Sequence, residues 1–292
     1  MHSIEAGTAN VLYQDALRDL FYEGQTVSPR GKRTLELSPV SLKLSLPQFN
    51  IITDPDRKAS KAFMAAELLW ILMGREDLAM LEFYNGQMAQ YSDDGQNLAG
   101  AYGPRIMSQL RYVYETLKAD PDSRQGVISI WRPCPEPSKD IPCTVALHFI
   151  IRHNMLYLYS YMRSNDAWLG FPYDLHNFTS IQIILARILG VEVGAYYHTV
   201  GSFHLYYDQI DNMKKFMVVK GAMMADETPT PMLGGWDQFQ TNMALVRDLE
   251  ALIRRDPDLA KRMIDTIACP FFKQKLQWLQ EKAERKYATQ DR

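Results

Sequence analysis

The fold class is decided by Thr144-Val145-Ala146-Leu147-His148-Phe149-Ile150-Ile151, then Arg152-His153-Asn154, then Met155-Leu156-Tyr157-Leu158-Tyr159-Ser160-Tyr161. The two apolar runs read as adjacent strands, and the polar triplet between them is their hairpin turn. Just upstream, Gly126-Val127-Ile128-Ser129-Ile130-Trp131 reads as a further strand beside them. Downstream, residues 175–189 read as a long buried helix that Gly190 terminates. Nearer the start, residues 9–21 carry apolar side chains at three- and four-residue intervals, the pattern of an amphipathic helix. Ser28-Pro29-Arg30-Gly31 then marks a turn. Thr34-Leu35-Glu36-Leu37 and Ser41-Leu42-Lys43-Leu44-Ser45-Leu46 alternate polar and apolar residues as half-buried strands do, and a helix follows at 59–73. From Thr228-Pro229-Thr230-Pro231 onward the chain reads as helical and charged, with Leu245, Val246, Leu249, Leu252 and Ile253 on one face for intramolecular packing. Strands and helices alternate irregularly, so the fold class is α+β.

Composition narrows the function. With 292 residues, 47% hydrophobic and 23% charged, the chain is neither disordered, collagenous nor low-complexity. No repeat and no flexible linker divides it, which predicts one catalytic domain over residues 1–292 whose last part, from about residue 228, is a helical extension. A net charge of -2 creates no global field for nucleic acid, so an anionic ligand must be met by local arginines. Cys134, Cys143 and Cys269 are too few and too scattered for a disulfide framework or a zinc ribbon, which predicts a reducing cytoplasm and no metal. Met1-His2-Ser3-Ile4-Glu5 does not begin a leader, and no apolar run reaches about 18 residues, so a membrane partner is not expected.

Chemistry is suggested where a cysteine meets arginines. Cys143 lies in Asp140-Ile141-Pro142-Cys143-Thr144, where the proline breaks regular structure at the entrance of an apolar strand. By itself such a cysteine reads as a small buried hydrophobe. Arg124 in Asp122-Ser123-Arg124-Gln125 and Arg163 in Met162-Arg163-Ser164-Asn165-Asp166 sit at the ends of neighbouring strands and offer paired donors for phosphate oxygens, with Ser164 adding a hydroxyl. Surface ion pairs would explain either arginine alone. They explain the pair beside a cysteine poorly, because a cysteine nucleophile needs nearby positive charge.

These motifs, in their order along the chain, resemble the thymidylate synthase superfamily. Asp122-Ser123-Arg124, Pro142-Cys143, Arg163-Ser164-Asn165-Asp166, Gly170-Phe171-Pro172-Tyr173-Asp174 and Gly201-Ser202-Phe203-His204-Leu205-Tyr206 carry the likeness, with Glu67-Leu68-Leu69-Trp70 and Tyr102-Gly103 upstream. The resemblance covers residues 28–213 and implies a thymidylate synthase-like α+β domain that dimerises through the back of a mixed sheet. It implies that Arg30, Arg163 and Ser164 hold a substrate phosphate, with Arg124 donated across the interface. Cys143 would attack C6 of a pyrimidine, so that C5 captures the one-carbon unit of 5,10-methylenetetrahydrofolate. Glu67 would organise water and protons, Tyr102 would assist removal of the C5 proton, Asp166 and Trp70 would bind the folate, and His204 and Tyr206 would hold the sugar 3′-hydroxyl. Gln125 stands where the family has a second arginine, which removes one charge from the clamp.

Two further departures point to substrate and outcome. Asp174 replaces the family's asparagine; when ionised it only accepts hydrogen bonds, which suits the N4 amine of cytosine and opposes O4 of uracil. Ser202 replaces an aspartate after Gly201. Both changes resemble the cytidylate 5-hydroxymethyltransferase branch, in which water rather than hydride quenches the exocyclic methylene. Lys286-Tyr287-Ala288-Thr289-Gln290-Asp291-Arg292 lacks the family's apolar closing segment, which agrees with water access. Ser164 and Arg124 resemble those of deoxynucleotide-using relatives, so the expected substrate is dCMP, with CMP next. The rival expectations are C5 methylation of dUMP or dCMP, and a non-catalytic paralogue that binds nucleotide or RNA.

Overall fold

The computed structural model describes residues 2–133, 135–216 and 225–290; Cys134, Asp291 and Arg292 lie outside them. The strands are β1 (His2–Ala6), β2 (Gln25–Val27), β3 (Thr34–Leu37), β4 (Val40–Leu44), β5 (Val127–Ser129), β6 (Thr144–Arg152), β7 (Met155–Met162), β8 (Asn165–Asp166), β9 (Glu192–Val200) and β10 (Phe203–Tyr206). The helices are α1 (Ala9–Glu23), α2 (Lys61–Leu72), α3 (Leu78–Tyr84), α4 (Tyr102–Ala119), α5 (Phe171–Leu189), α6 (Ile210–Phe216), α7 (Trp236–Arg255), α8 (Pro257–Ile264) and α9 (Pro270–Gln290).

The hairpin expected at residues 144–161 forms. Arg152 pairs with Met155, and the two residues between them, His153 and Asn154, have φ of 52° and 60°. Two successive positive φ values are what a two-residue turn needs to match the right-handed twist of its strands. From β7 the chain crosses through α5 and returns as β9, parallel to β7. A parallel return needs a crossover of about a dozen residues or more, and α5 supplies it. Gly190, with φ 74°, ends that helix and turns the chain into β9.

Among the described residues the larger sheet has six strands in the order β1-β4-β9-β7-β6-β5, and the smaller has four, β2-β3-β10-β8. Both are mixed: β1–β4, β7–β9 and β8–β10 are parallel. Leu147, Phe149, Leu156 and Leu158 point into a core that also takes Phe178, Ile181 and Leu185 from α5. Alternate residues of the same strands stay partly accessible, including Tyr157, Tyr159 and Tyr161 of β7 and Tyr197 of β9. The rings of Tyr159 and Tyr197 stack 4.8 Å apart at an interplanar angle of 8°.

The last helices pack on one another, and α9 also lies against α2. On α7, Phe239, Met243, Val246, Leu249 and Ile253 are buried, at the three- and four-residue spacing of one face. Leu245 does not join them; it is 42% exposed, because a neighbour of Val246 points about 100° away around the helix. Among the described residues no helix is long and apolar enough to cross a membrane.

Candidate active site

One wall of the site is made where the strands of the larger sheet end. The backbone N–H of Arg163, just past β7, donates to the Cys143 carbonyl at 2.9 Å, and that of Gly201, just past β9, donates to the Met162 carbonyl at 2.9 Å. Gly201 is required by this approach, since a β-carbon there would lie 2.9 Å from the Arg163 carbonyl oxygen. The Arg163 guanidinium spreads over the entrance of β6: Nε donates to the Pro142 carbonyl at 2.9 Å, Nη2 to that of Ile141 at 3.0 Å, and Nη1 to Ser164 Oγ at 3.1 Å. Its Nη2 also comes within 3.9 Å of Cys143 Sγ, and Ser164 Oγ within 3.7 Å. Burial pushes the Cys143 thiol up, while Arg163 and Ser164 pull it down. The cysteine is thus a partly accessible thiol set beside a cation and a hydroxyl.

The facing wall is helical and acidic. Asp174 and Asn177 sit one turn apart on α5, and Asn177 Nδ2 donates to Oε2 of Glu67 on α2 at 2.7 Å. Burial pushes Glu67 up to about 7, with the Asn177 bond working against it. Burial also holds Asp174 well above the usual carboxylate range, and the charge of Glu67 adds to this. Its Oδ2 accepts from Asn165 Nδ2 at 2.7 Å. Both residues are only partly buried, which leaves this wall open to a ligand.

Tyr102 joins the two walls. Its ring stacks on Phe178 of α5 at 6.0 Å, and its hydroxyl accepts from the N–H and Oγ1 of Thr144 at 3.3 and 3.0 Å. Burial holds the phenol well above its ordinary pKa, aided by Asp174 and Cys143. Tyr102 is therefore a neutral hydroxyl that already accepts two hydrogen bonds, with its own hydrogen left to donate.

The smaller sheet brings a second group alongside. Asp166 pairs with His204 across β8 and β10, and Asp166 Oδ1 accepts from the N–H groups of Trp168 and Leu169 at 2.8 Å each. Burial raises Asp166 despite those bonds. His204 meets Tyr206 edge-on at 5.4 Å. Tyr206 pairs with Thr34, so the basic turn before β3 runs beside it; Lys32 Nζ lies 5.8 Å from the Tyr206 ring, and Arg30 occupies that turn exposed, with φ 53°. Ser202 donates from Oγ to Glu36.

Two predicted residues stand apart from this cluster. Trp70 is 4% exposed and spends its indole N–H on the Asp77 carbonyl at 2.9 Å. Arg124 precedes β5, which runs antiparallel to β6 with Val127 opposite His148, so it lies toward the far end of β6 from Cys143. Cys269 is buried. The sequence reading missed the residues that serve the functional groups rather than forming them: Asn177 for Glu67, Asn165 for Asp174, and Thr144 for Tyr102. Asn177 was detectable, three residues after Asp174 and so on the same face of a predicted helix. Asn165 stood inside a quoted motif without a role. His198, which bonds Asn165, gives no signal in the sequence, where no strand is read over residues 192–200.

Comparison with known proteins bears on this arrangement. A family model described as thymidylate synthase matches residues 11–227. The chain is 38% identical over 228 residues to a deoxyuridylate hydroxymethyltransferase of Bacillus phage SP01, a match covering 71% of this chain and 60% of the relative. It is 30% identical over 233 residues to a deoxyuridylate hydroxymethyltransferase of Pseudomonas phage M6, covering 76% of this chain and 66% of that one. It is 28% identical over 220 residues to a thymidylate synthase of Corynebacterium aurimucosum, covering 70% and 80%. The chain thus spans less than two thirds of the length of each of the two phage relatives.

Proposed function

Because this chain belongs to the thymidylate synthase family, we propose that it transfers a one-carbon unit from 5,10-methylenetetrahydrofolate to C5 of a pyrimidine deoxynucleoside monophosphate and releases the 5-hydroxymethyl product. The observation that carries this reading is Cys143 beside Arg163 and Ser164, with Asp174 and Glu67 on the facing wall. Cys143 sulfur adds to C6, and the electron pair at C5 forms the carbon–carbon bond to the folate methylene. The C5 proton then leaves with the help of Tyr102, and tetrahydrofolate departs to give an exocyclic methylene. Water adds to that methylene, the Cys143–C6 bond breaks, and the ring double bond returns. Nothing is oxidised, so the folate leaves as tetrahydrofolate. Glu67, with a pKa near neutrality, suits the proton traffic of the water.

Asp174 selects the base in this reading, and dCMP fits it in both protonation states. Ionised, Asp174 accepts from the N4 amine and from a protonated N3. Neutral, it donates O–H to N3 and accepts from N4. Uracil fits only the neutral form, whose O–H would donate to O4 while its other oxygen accepts from N3–H. The second reading, dUMP, draws on the raised pKa of Asp174 and on the names of the phage relatives.

The remaining assignments belong to the same proposal. Arg30, Arg163 and Ser164 hold the phosphate, His204 and Tyr206 the sugar, and Asp166 the folate; Trp70, buried with its indole N–H bonded to Asp77, is left out of the folate site. The whole chain works as one catalytic unit in a homodimer formed on the tyrosine-bearing face of the larger sheet. Arg124, far from its own Cys143, serves the partner's phosphate. The test supplies dCMP, dUMP and CMP separately with formaldehyde and tetrahydrofolate, following tritium release from C5 and the mass of the product. Release with 5-hydroxymethyl-dCMP is expected. Formation of dihydrofolate would replace the proposal with the methylating reaction, and no release from any nucleotide would end it.

A further inference from the structure

Behind Asp174 runs a chain of buried polar groups that no step above uses. Asn165 donates from Nδ2 to Asp174 Oδ2 at 2.7 Å and, through Oδ1, accepts from His198 Nε2 at 3.0 Å. His198 Nδ1 in turn lies 2.8 Å from the Tyr196 hydroxyl and 3.1 Å from Ser160 Oγ. Asn165 is 2% exposed, and Ser160, Tyr196 and His198 are wholly buried. The chain is also clamped at its active-site end: a β-carbon on Gly170 would lie 3.1 Å from Asn165 Nδ2 and 3.5 Å from Asp174 Oδ2.

Such a chain has two self-consistent placements of its hydrogens. In the first, the imidazole carries hydrogen on Nε2, Tyr196 or Ser160 donates to Nδ1, and the amide of Asn165 turns its oxygen to the ring and its NH₂ to Asp174. Oδ2 of Asp174 then accepts, and any proton on the carboxyl sits on Oδ1. In the second, the imidazole hydrogen is on Nδ1, the amide is reversed, and Asp174 must donate a hydroxyl hydrogen from Oδ2. Any mixture sets two acceptors or two donors against each other in a closed interior, which costs about as much as a lost hydrogen bond with both groups buried. With the Asn165 amide oriented as it is here, Nδ2 toward Asp174 and Oδ1 toward His198, the chain takes the first placement. Burial lowers the His198 pKa to about 3, so the ring stays neutral, with one donor and one acceptor nitrogen.

We infer that Ser160, Tyr196, His198 and Asn165 are positioning residues for base choice: they fix which Asp174 oxygen accepts, and thereby the donor–acceptor pattern shown to the pyrimidine. Cytosine and uracil carry opposite patterns at N3 and at the C4 substituent, so an Asp174 free to exchange its two oxygens would discriminate poorly between them. The inference rests on the proposed role of Asp174 in reading the base.

The test is calorimetric binding of dCMP and dUMP, without folate, to the wild type, His198→Leu and His198→Gln. In His198→Leu the Asn165 amide loses its anchor, and the preference between the two nucleotides should fall about tenfold. His198→Gln should retain it, since a glutamine amide offers a donor toward Asn165 and an acceptor toward Tyr196. An unchanged preference in His198→Leu overturns the inference. A wild type that binds neither nucleotide overturns the Asp174 reading from which it starts. Where His198→Leu does not fold, isotope-edited NMR of the wild-type ring decides: hydrogen on Nε2 supports the chain as described, and hydrogen on Nδ1 overturns it.

Discussion

Cys143 and Asp174 belong to one site, but they are held in different ways. The cysteine is fixed by backbone: strand register sets it beside Arg163, and the guanidinium returns two bonds to the carbonyls of Ile141 and Pro142. The carboxyls of Asp174 and Glu67 are each held by one asparagine amide, from Asn165 and Asn177. Disturbing the first wall should change where atoms are. Disturbing the second should change where protons are, because an amide that bonds a buried carboxylate stabilises its charge without moving the chain.

The largest effect should come from the reacting atom itself. Cys143→Ser keeps the shape of the wall and removes the sulfur nucleophile, and should lower tritium release from C5 by at least about ten-thousandfold. Melting should barely change, since a serine fits the same space. Activity within a hundredfold of wild type would mean that another group attacks the ring. Arg163→Met comes next, because it removes both a cation and three donors. Activity should fall by about a thousandfold, and the melting temperature should drop as well, since the carbonyls of Ile141 and Pro142 lose their donor. Arg163→Lys restores the charge without the planar fork, so it should recover little if geometry governs this wall and most of the activity if charge alone does.

The two walls also differ in how far the sequence announced them. The hairpin, α2 and α5 were legible because each is a local pattern: two apolar runs around a polar turn, or a helical period closed by a glycine. The Cys143–Arg163 wall was legible for a related reason, since the residues fall at strand ends that the same pattern marks. β9 escaped the reading, and with it His198, because its place is fixed by parallel pairing to β7 across the whole of α5. The amide partners escaped because an asparagine means little until the fold sets it against a carboxyl; Asn177 and Glu67 are 110 residues apart. Arg163 was read as a phosphate ligand from its chemistry, yet much of its bonding capacity is spent on the chain's own carbonyls, a use only the fold reveals. Leu245 was placed with the buried face of α7 because an apolar residue next to a periodic stripe looks like part of it.

On the helical wall, Glu67→Gln tests whether burial of charge is stored there. A carboxyl raised from its ordinary value to about 7 favours the protonated form in the folded state. The folded protein then binds more protons than the unfolded chain between those two values, so stability falls as pH rises through that window. Glutamine keeps the acceptor for Asn177 and cannot ionise. The variant should match wild type near pH 4 and exceed it by about 2 kcal/mol at pH 8, a figure discounted for the partial exposure of Glu67. Urea titrations at the two pH values check this, and equal stability at both would show that Glu67 carries no such penalty.

The smallest expected effect is the most direct test of the difference between the walls. Asn177→Ala removes the side-chain donor that, among the described residues, favours ionised Glu67, so the Glu67 pKa should rise further, by about one unit if the bond is an ordinary charge-assisted one. The direction follows from the bond: Asn177 lowers that pKa now, and burial with the charge of Asp140, both of which raise it, would then govern it. The corresponding limb of the pH–rate profile should move up by the same amount, while the rate at the new optimum stays within a few-fold of wild type, because Cys143, Arg163 and Ser164 are untouched. A lowered rate at every pH with no shift of the limb would mean that Asn177 positions Glu67 rather than charging it, and that the helical wall is held by geometry in the same way as the wall around the thiol.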